Sequence, residues 1–286
     1  MNYLQLNQLS REQVEQIRNL ELACQQKDGL KGTVFLSNEI NFSAEIDSFY
    51  LLYDGNTLVS FLSMFIPTRD VSEISAYTLP EYRRRGYFHL LFQKAAAELK
   101  KHGLNKILFV HEPQSDDAKS ILEHYHSEYD FTEYLLIYDS SSFQRCESRI
   151  QLVPAVQKDI PEIASLTSSV FEDDYEEALS ITTKSIASPD IHQYCAFLGD
   201  KMIGICNANL EGGDISIFGV VISPEFQGKG YGREMLNLLL DELIHHESGE
   251  ITIEVNSKNA AAYHLYITSG FKLKAQFDYD SYTLKN

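Results

Sequence analysis

The second half of the chain shows two hydrophobic periods that alternate along the sequence. Short apolar runs bounded by turn residues predict strands at 149–155, at 251–255 and in the segments YCAFL, KMIGICNANL, DISIFGVVI and FKLKAQF. Apolar residues at helical spacing predict two helices between these strands. Their buried stripes are Ile160, Ile163, Ala164 and Leu166, and Met235, Leu236, Leu239, Leu240 and Leu243. A third helix is predicted over NAAAYHLYITSG, ending at Gly270. The pattern is typical of an α+β domain.

The first half of the chain repeats this pattern at a constant spacing. Tyr50 and Tyr194, like Gly55 and Gly199, lie 144 positions apart (194 − 50 and 199 − 55), and LPEYRRRGYFHLLF aligns with SPEFQGKGYGREML at that spacing. One register held over so many positions indicates two copies of one domain. We therefore predict domains at 1–143 and 144–286, joined by the polar segment 139–148. Such a chain is expected to be a monomer with internal pseudo-dimer symmetry, or a homodimer.

The composition indicates a globular protein. The chain has 286 residues, of which 44% are hydrophobic and 23% charged, and no segment approaches the roughly 18 apolar residues that a membrane-spanning helix needs. Its N-terminus lacks the basic and apolar regions of a secretion signal, so we expect a cytoplasmic protein without membrane association. The four cysteines lie far apart without a CxxC pair, which favours reduced thiols and no metal site.

The net charge of −17 argues against a nucleic-acid partner, because an acidic surface repels phosphate backbones. The same surface would attract cationic amines. Acidity that serves solubility alone is the commoner explanation for such a charge.

The run QGKGYG at 227–232 places three glycines on alternate positions, where a β-branched strand precedes an amphipathic helix. These glycines remove side chains from the turn, so the backbone N–H groups of the helix start are open to an anion. Because three glycines cost helix stability, an anion-binding turn is favoured over a tight structural turn. A Walker sequence is absent, and the spacing GxGxG differs from the dinucleotide fingerprint GxGxxG.

Two blocks of the second copy resemble a known family. VVISPEFQGKGYG at 220–232 resembles the acyl-CoA-binding segment of the GNAT superfamily of N-acyltransferases, whose pattern Gln/Arg-x-x-Gly-x-Gly/Ala is matched by Gln227, Gly230 and Gly232. NAAAYHLYITSGF at 259–271 resembles that family's Asn-x-x-Ala-x-x-x-Tyr-x-x-x-Gly-Phe block. Through the duplication the resemblance covers the whole chain. It implies an α+β (α/β) fold of two tandem GNAT-type domains, each a mixed, mostly antiparallel twisted sheet flanked by helices.

The resemblance also implies acetyl-CoA as co-substrate, with no metal. Backbone N–H groups of the glycine turn would bind its diphosphate, the preceding strand would pair with its pantetheine arm, and Asn259 would hydrogen-bond it. The residues implied to bind it are Val220, Val221, Ile222, Gln227, Gly228, Lys229, Gly230, Tyr231, Gly232 and Asn259. Lys229 has the alternative of a solvated surface charge.

Acetyl transfer to an amine needs a deprotonated amine, a donor for the developing oxyanion and an acid for the leaving thiolate. The resemblance implies Tyr266 as this acid and a backbone N–H near Val221 or Ile222 as the oxyanion donor. The base stays open. Ser216 stands where some family members carry glutamate, the nearby Glu211 and Asp214 fit a hairpin turn, and a water relay is equally compatible. Cys206 is interpreted as a small apolar filler of a strand rather than a nucleophile.

The first copy departs from both family blocks. Arg83 and Gly86 keep the positions of Gln227 and Gly230, but Arg84 replaces Gly228 and Phe88 replaces Gly232. In the second block, Ser115 stands at the Asn259 position and Leu122 at the Tyr266 position, while Tyr125 would need a local bulge to substitute. We expect a degenerate copy that shapes the amine pocket, with a second active site as the less favoured alternative.

We predict an N-acetyltransferase that acts on a small amine, expected to be cationic, by direct attack in a ternary complex. A non-catalytic acyl-CoA sensor and an acetyltransferase for proteins or peptides are the alternatives. The acceptor pocket is expected in variable loops such as 171–190, whose acidic run at 172–177 either attracts a cation or forms a solvated helix face.

Overall fold

Two compact units make up the chain in a computed structural model that describes residues 1–172, 174–210, 213–245 and 249–285. The first unit comprises residues 1–133 and 275–286, and the second comprises 134–274. This division by contacts differs from the predicted domains 1–143 and 144–286, because the last strand of each copy runs into the other unit. The domain bounds 1–143 and 144–286 therefore stay a prediction from the sequence.

Six strands form the sheet of the first unit, in the order β1-β2-β3-β4-β5-β12. The strands are β1 (Asn2–Leu6), β2 (Phe49–Asp54), β3 (Thr57–Phe65), β4 (Ser72–Thr78), β5 (Lys106–His111) and β12 (Phe271–Thr283), of which 275–283 belong to this unit. Only β4 and β5 pair in parallel, and the other neighbours are antiparallel. The helices are α1 (Arg11–Asp28), α2 (Tyr87–Lys101) and α3 (Asp116–Tyr125).

The sheet of the second unit has the order β6-β11-β10-β9-β8-β7. The strands are β6 (Glu128–Tyr138), of which 134–138 belong to this unit, β7 (Gln151–Pro154), β8 (Ile191–Leu198), β9 (Lys201–Asn209), β10 (Ile215–Ile222) and β11 (Ile251–Asn256). β10 and β11 pair in parallel, whereas the pairs β7–β8, β8–β9 and β9–β10 are antiparallel. The helices are α4 (Ile160–Phe171), α5 (Tyr175–Ala187), α6 (Tyr231–Leu243) and α7 (Ala260–Thr268). The predicted fold class, two mixed and mostly antiparallel sheets flanked by helices, is confirmed.

Each sheet has a hydrophobic cluster on both faces, since it packs helices on both sides. In the second unit, the predicted stripe of α6 is fully buried with Ile215, Ile217 and Tyr266 on one face, and Ile163 of α4 is buried with Ile205 and Val221 on the other. In the first unit, α2 and α1 occupy the corresponding faces. The helix stripes predicted from periodicity therefore lie where they were expected.

One predicted loop is largely helical. Within 171–190 the structure places α5, whose first turn is capped by Asp174 Oδ1, which accepts from the backbone N–H groups of Glu176 and Glu177 at 2.9 and 3.2 Å. The prediction of a loop was wrong over Tyr175–Ala187, where serine and threonine interrupt the apolar positions of the helix. The alternative expectation, a solvated helix face, agrees with the exposed Glu176 in the first turn of α5. Asp173 of the acidic run lies outside the described residues. The first unit has no helix or strand between Gly29 and Ser48, the region that follows α1.

Candidate functional site

The turn between β10 and α6 has two glycines in the left-handed region. A short 3-10 helix at Pro224–Phe226 leads to Gly228 at φ +71° and to Gly230, the N-cap of α6, at φ +89°. A Cβ at Gly228 would meet no atom within 4 Å, so the backbone conformation, and not crowding, calls for glycine there. Gly232 already has helical backbone, and a Cβ there would touch Leu265 at 3.4 Å.

Backbone donors are open along this turn. In the described part of the chain, the N–H groups from Gly228 through Gly232 have no acceptor, and the first bonds of α6 run from Arg233 and Glu234 to Gly230 O. A helix start also carries about half a positive charge. A turn with these two properties is suited to bind an anion, and the anion site expected from the glycine spacing stays a prediction.

The side chains around the turn are mostly engaged within it. Gln227 Nε2 donates to Ile222 O at 2.8 Å, and Lys229 Nζ donates to Glu225 O at 2.7 Å. Arg149 lies over the Tyr231 ring at 4.3 Å and pairs with Glu234. Gln227 and Lys229 therefore hold the shape of the turn in this structure, and Arg149 adds a cation that the sequence motif did not indicate.

The strand before the turn separates from its parallel neighbour. The β10–β11 pairing covers only Ile215–Ile251, Ser216–Thr252 and Ile217–Ile253, so Val220, Val221 and Ile222 have no partner on the β11 side. Because Ser223 N donates to Ile203 O of β9, the alternation of a strand directs the backbone groups of Val221 toward β9 and those of Ile222 toward the gap. Ile222 O already accepts from Gln227 Nε2, so the Ile222 N–H is the group of this residue that faces the gap and could bind an amide-bearing chain.

Tyr266 lies in the core of the second unit, in the hydrophobic cluster against which Val220 and Ile222 pack. The residue is 5% exposed and packs near Phe271, with ring centroids 6.0 Å apart. Burial, with a smaller effect from Cys206, raises the pKa of Tyr266 to about 12. Its phenol therefore holds its proton throughout the neutral range, as a general acid must.

Asn259 and Gly270 delimit helix α7, which carries Tyr266. Asn259 Oδ1 accepts from Ala262 N at 3.0 Å and caps the helix, while the residue itself is exposed. Gly270 has φ +104°, a backbone conformation that residues with a side chain rarely adopt. The cap uses the amide oxygen of this exposed residue, so its amide nitrogen is available to donate a hydrogen bond to a ligand.

Comparison with known proteins accounts for this arrangement. The family model "Acetyltransferase (GNAT) family" matches residues 14–125 and 160–271. The chain belongs to the GNAT family. GNAT proteins use acetyl-CoA, and the two matched segments bear out the resemblance of the whole chain to tandem GNAT domains.

Curated relatives and a solved structure are similar to this GNAT chain. It is 31% identical over 91 residues to the [Ribosomal protein bS18]-alanine N-acetyltransferase of Escherichia coli (strain K12), covering 31% of this chain and 62% of that protein. It is 28% identical over 118 residues to the N-alpha-acetyltransferase RimI of Mycobacterium tuberculosis, covering 40% and 73%. The tandem GNAT protein from the clavulanic acid biosynthesis pathway matches the fold at a TM-score of 0.73 and 13% identity, covering 100% and 99%.

The corresponding turn of the first GNAT unit has the same backbone but different side-chain partners. Arg84 lies at φ +61° and Gly86 at φ +78°, which matches the two left-handed glycines of the second unit. Arg83 Nε donates to Thr78 O at 3.0 Å, the contact that Gln227 makes with Ile222. The Arg83 guanidinium also pairs with Asp28 at 2.5 Å and Asp117 at 2.8 Å.

The second family block of the first unit has the helix but not the phenol. Ser115 caps α3 by accepting from Ala118 N at 3.3 Å, as Asn259 caps α7, so the predicted alignment of the two caps agrees with the structure. Leu122 then occupies the Tyr266 position. Tyr125 ends α3 and places its hydroxyl 2.6 Å from His89 Nδ1, so no local bulge brings it to that position.

The residues considered as a base or a nucleophile lie on or beside strands β9 and β10. Asp214 lies before β10, at the strand end remote from the glycine turn, and its Oδ1 accepts from Glu250 N at 2.8 Å. Ser216 is exposed within β10. Burial raises the pKa of Cys206, which suits a filler of β9 better than a nucleophile. Glu211 of the predicted hairpin turn lies outside the described residues.

Two broader features concern the described residues as a whole. No helix among them has both the length and the apolar character needed to cross a membrane. The same residues contain no group of three or more His, Cys, Asp or Glu side chains arranged to hold a metal ion.

Proposed function

We propose that this protein transfers the acetyl group of acetyl-CoA to the amine of a small, cationic acceptor, and that the second unit carries the site. The observation that carries this proposal is the conjunction of open N–H groups at Gly228–Gly232 with a separated pair of strands and the buried Tyr266. The chain spans 62% of the length of the bS18-alanine acetyltransferase it resembles, so activity and acceptor are inferred from the site itself.

The residues of the second unit fit acetyl-CoA. The N–H groups of Gly228, Lys229, Gly230, Tyr231 and Gly232 would bind the diphosphate, with Gln227 holding the turn. The gap side of Val220–Ile222 would pair with the pantetheine amides, and Asn259 would contribute its amide nitrogen. When bound, acetyl-CoA supplies an activated thioester carbonyl.

The chain's own groups would then stabilise charge and move one proton. A backbone N–H of β10 would bind the oxyanion, and the register favours Ile222 over Val221 because Val221 faces β9. Tyr266 would donate its proton to the departing thiolate in a ternary complex, without an acyl-enzyme. The amine must lose its proton before attack, through a water relay or a base that the sequence did not single out.

The net charge of −17 supports a cationic acceptor. The names of the curated relatives support a second candidate, the α-amine of a protein or peptide. A non-catalytic acyl-CoA sensor is the third, and it differs from both by having no turnover.

Calorimetry with acetyl-CoA, followed by a CoA-release screen over small amines and N-terminal peptides, tests the proposal. We expect saturable binding and turnover with at least one small amine. Turnover with peptides alone would favour the second candidate, and binding without turnover the sensor. Absence of binding would refute the proposal.

A pair of glycine variants tests the binding turn. Gly228→Val should weaken acetyl-CoA binding at least ~10-fold, because its side chain would cover the open N–H groups. Gly199→Val is the matched control, since Gly199 has φ +60° and equally open surroundings in the β8–β9 hairpin. Both variants carry a similar backbone strain, so equal losses of binding would show that strain alone is responsible.

A further inference from the structure

One peptide of the glycine turn needs a contact that fixes its orientation. The Lys229–Gly230 peptide lies between two left-handed glycines, Gly228 at φ +71° and Gly230 at φ +89°, and glycine rotates more freely than any other residue. The C=O and N–H groups of a trans peptide point in opposite directions. Rotation would therefore turn the Lys229 carbonyl toward the side where the Gly230 N–H would bind an anion, and this oxygen would repel a phosphate.

Arg149 provides this contact from outside the glycine motif. Its Nη2 donates to Lys229 O at 2.8 Å, so the Gly230 N–H points away from Arg149. The guanidinium lies over the Tyr231 ring, 4.3 Å from its centroid. A Cβ on Gly230 would lie 3.4 Å from the same Nη2. Arg149 therefore packs on three consecutive residues of the turn, on the side opposite the Gly230 N–H.

Glu234, in the first turn of α6, holds the guanidinium in this place. Its Oε1 accepts from Arg149 Nε at 2.8 Å and from Nη2 at 2.5 Å, and its Oε2 accepts from the Arg149 backbone N–H at 2.8 Å. Burial opposes ionisation of this carboxyl, but the hydrogen bonds from Arg149 lower the pKa of Glu234, so both groups are charged at neutral pH. Such a planar fork binds two acceptors at once, which a lysine ammonium does not reproduce.

Residues 144–149, which we call the strap, lie along one face of α6. Asn237 Nδ2 donates to the first carbonyl of the strap at 2.9 Å, and Asn237 Oδ1 accepts from a strap N–H two residues later at 3.0 Å. Asp241 pairs with Arg145 at 3.2 Å. Glu234, Asn237 and Asp241 are three and four positions apart and so share one helix face. The strap follows this face toward the glycine turn.

The corresponding peptide of the first unit, Arg85–Gly86, lacks this contact. Among the described residues, no side chain donates to Arg85 O. Arg85 instead donates through Nη2 to Glu81 O at 2.8 Å, and its guanidinium lies 4.9 Å from the centroid of the Tyr82 ring. Within the described chain, a side chain that fixes this carbonyl is thus a property of the second unit.

We propose that Arg149 is a positioning residue for the diphosphate of the acyl carrier. By fixing the Lys229 carbonyl it keeps the Gly230 N–H directed at the bound diphosphate, and the strap holds Arg149 at the turn. This proposal rests on the proposed function. It extends the carrier site to a segment that the glycine motif does not include, through a residue that does not itself contact the carrier.

Arg149→Gln and Arg149→Lys test the positioning role by calorimetry and steady-state kinetics. We expect both to raise the acetyl-CoA Kd and KM ~10-fold, the usual effect of losing a charge-assisted hydrogen bond, because lysine keeps the charge but loses the fork. At saturating acetyl-CoA, kcat should stay within ~2-fold of wild type, since Arg149 contacts no reacting atom. Arg85→Lys, at the turn of the first unit, is the matched control and should leave Kd within ~2-fold of wild type.

A second carrier, 3′-dephospho-acetyl-CoA, separates positioning from direct contact. It retains the diphosphate and lacks the ribose phosphate, so both Arg149 variants should weaken its binding by the same ~10-fold factor. If Arg149 instead paired with the ribose phosphate, the variants would weaken binding of acetyl-CoA alone.

Asn237→Ala tests the strap at a distance from the turn. The substitution removes both hydrogen bonds that Asn237 makes with the strap, and loosening Arg149 in this way should raise the acetyl-CoA Kd ~3-fold. In the Arg149→Gln background the same substitution should raise Kd by less than ~2-fold, because the strap then has no contact to maintain at Lys229 O.

A wild-type Kd in Arg149→Gln, full recovery in Arg149→Lys, or a loss confined to acetyl-CoA would overturn the positioning role while leaving the proposed function intact. A wild-type Kd in Asn237→Ala, or factors that multiply in the double variant, would overturn the role of the strap. A wild-type protein that binds neither carrier would instead refute the proposed function, before any variant is compared.

Discussion

The two units build the same strand-to-helix turn and use it differently. Arg84 and Gly228 adopt nearly the same left-handed conformation, at φ +61° and +71°, although only one of them is glycine. A non-glycine residue in this region costs of order 1 kcal/mol, so the first unit keeps this backbone against a local preference. The same backbone with different side chains is consistent with the expectation that the first copy is degenerate, which stays a prediction.

Their buried polar groups show the same contrast. The first unit buries four carboxylates, Glu21, Glu98, Glu112 and Asp280, whereas the buried polar residues described in the second unit are the neutral Thr182, Ser185, Gln193 and Asn207. Glu112 accepts from Lys31 N and Gly32 N at 2.8 and 2.9 Å, and Glu21 accepts from Val34 N at 2.6 Å. These carboxylates fix the segment that follows α1. The first unit therefore holds this segment through buried carboxylates, a device that the described residues of the second unit do not use.

The sharpest test of this contrast compares two tyrosines. Tyr266→Phe should lower kcat by ~10²–10⁴-fold because it removes the proposed acid, and should leave the acetyl-CoA Kd within ~2-fold because the ring still fills the core. Steady-state kinetics and calorimetry provide the two measurements. Tyr125→Phe is the control in the first unit and should leave kcat unchanged. Equal losses from both variants would contradict a single active unit.

The pH profile of the wild type sharpens this assignment. The acid needs its proton, which is present below the pKa of about 12 raised by burial. Rate should therefore rise with pH as the amine deprotonates, without a falling limb up to about pH 10. A fall in kcat near pH 8 to 9, with the protein still folded, would exclude Tyr266 as the acid.

A smaller effect, on stability, is expected when Arg83 is replaced by glutamine, the residue at the matching position 227 of the second unit. Arg83→Gln preserves a donor to Thr78 O but leaves Asp28 and Asp117 without their cation, which should destabilise the first unit by about 1–3 kcal/mol. Hydrogen exchange of peptides from β4 and β5 should accelerate. Acetyl-CoA binding at the second unit should remain within ~2-fold of wild type, and a large loss of it would show that Arg83 serves a cofactor site.

The sequence predicted the parts of this molecule that follow local rules. The α6 stripe, the glycine turn and the end of α7 before Gly270 depend on residues a few positions apart, so periodicity and spacing indicate them. The sequence did not predict the bulge in β10, where the register with β9 shifts between Phe218 and Val221. A constant spacing of 144 hides it, although eight positions separate Ser72 from Pro80 and nine separate Ile215 from Pro224. A glycine inside the β-branched run FGVVI was the available signal. The strand ends at 134–138 and 275–283 could not be assigned to a unit because sequence order carries no information on distant pairing.

The smallest effect that we expect concerns a carboxyl group of the first unit. Burial raises the pKa of Glu133 above its ordinary value, and the hydrogen bond from Tyr279 at 3.0 Å only partly opposes this. Because the folded pKa exceeds the unfolded one, the carboxyl favours folding fully below the unfolded pKa, and this contribution is lost as pH rises through the folded pKa. Glu133→Gln keeps an acceptor for Tyr279 and removes the charge, so it should stabilise the protein by about 1 kcal/mol at pH 7 to 8 and hardly at all near pH 4. Thermal unfolding at both pH values measures this difference, with exposed Glu128→Gln on the same strand as control. A gain that is equal at both pH values would indicate a packing effect, and would remove the argument that the first unit holds its carboxylates against the cost of burial.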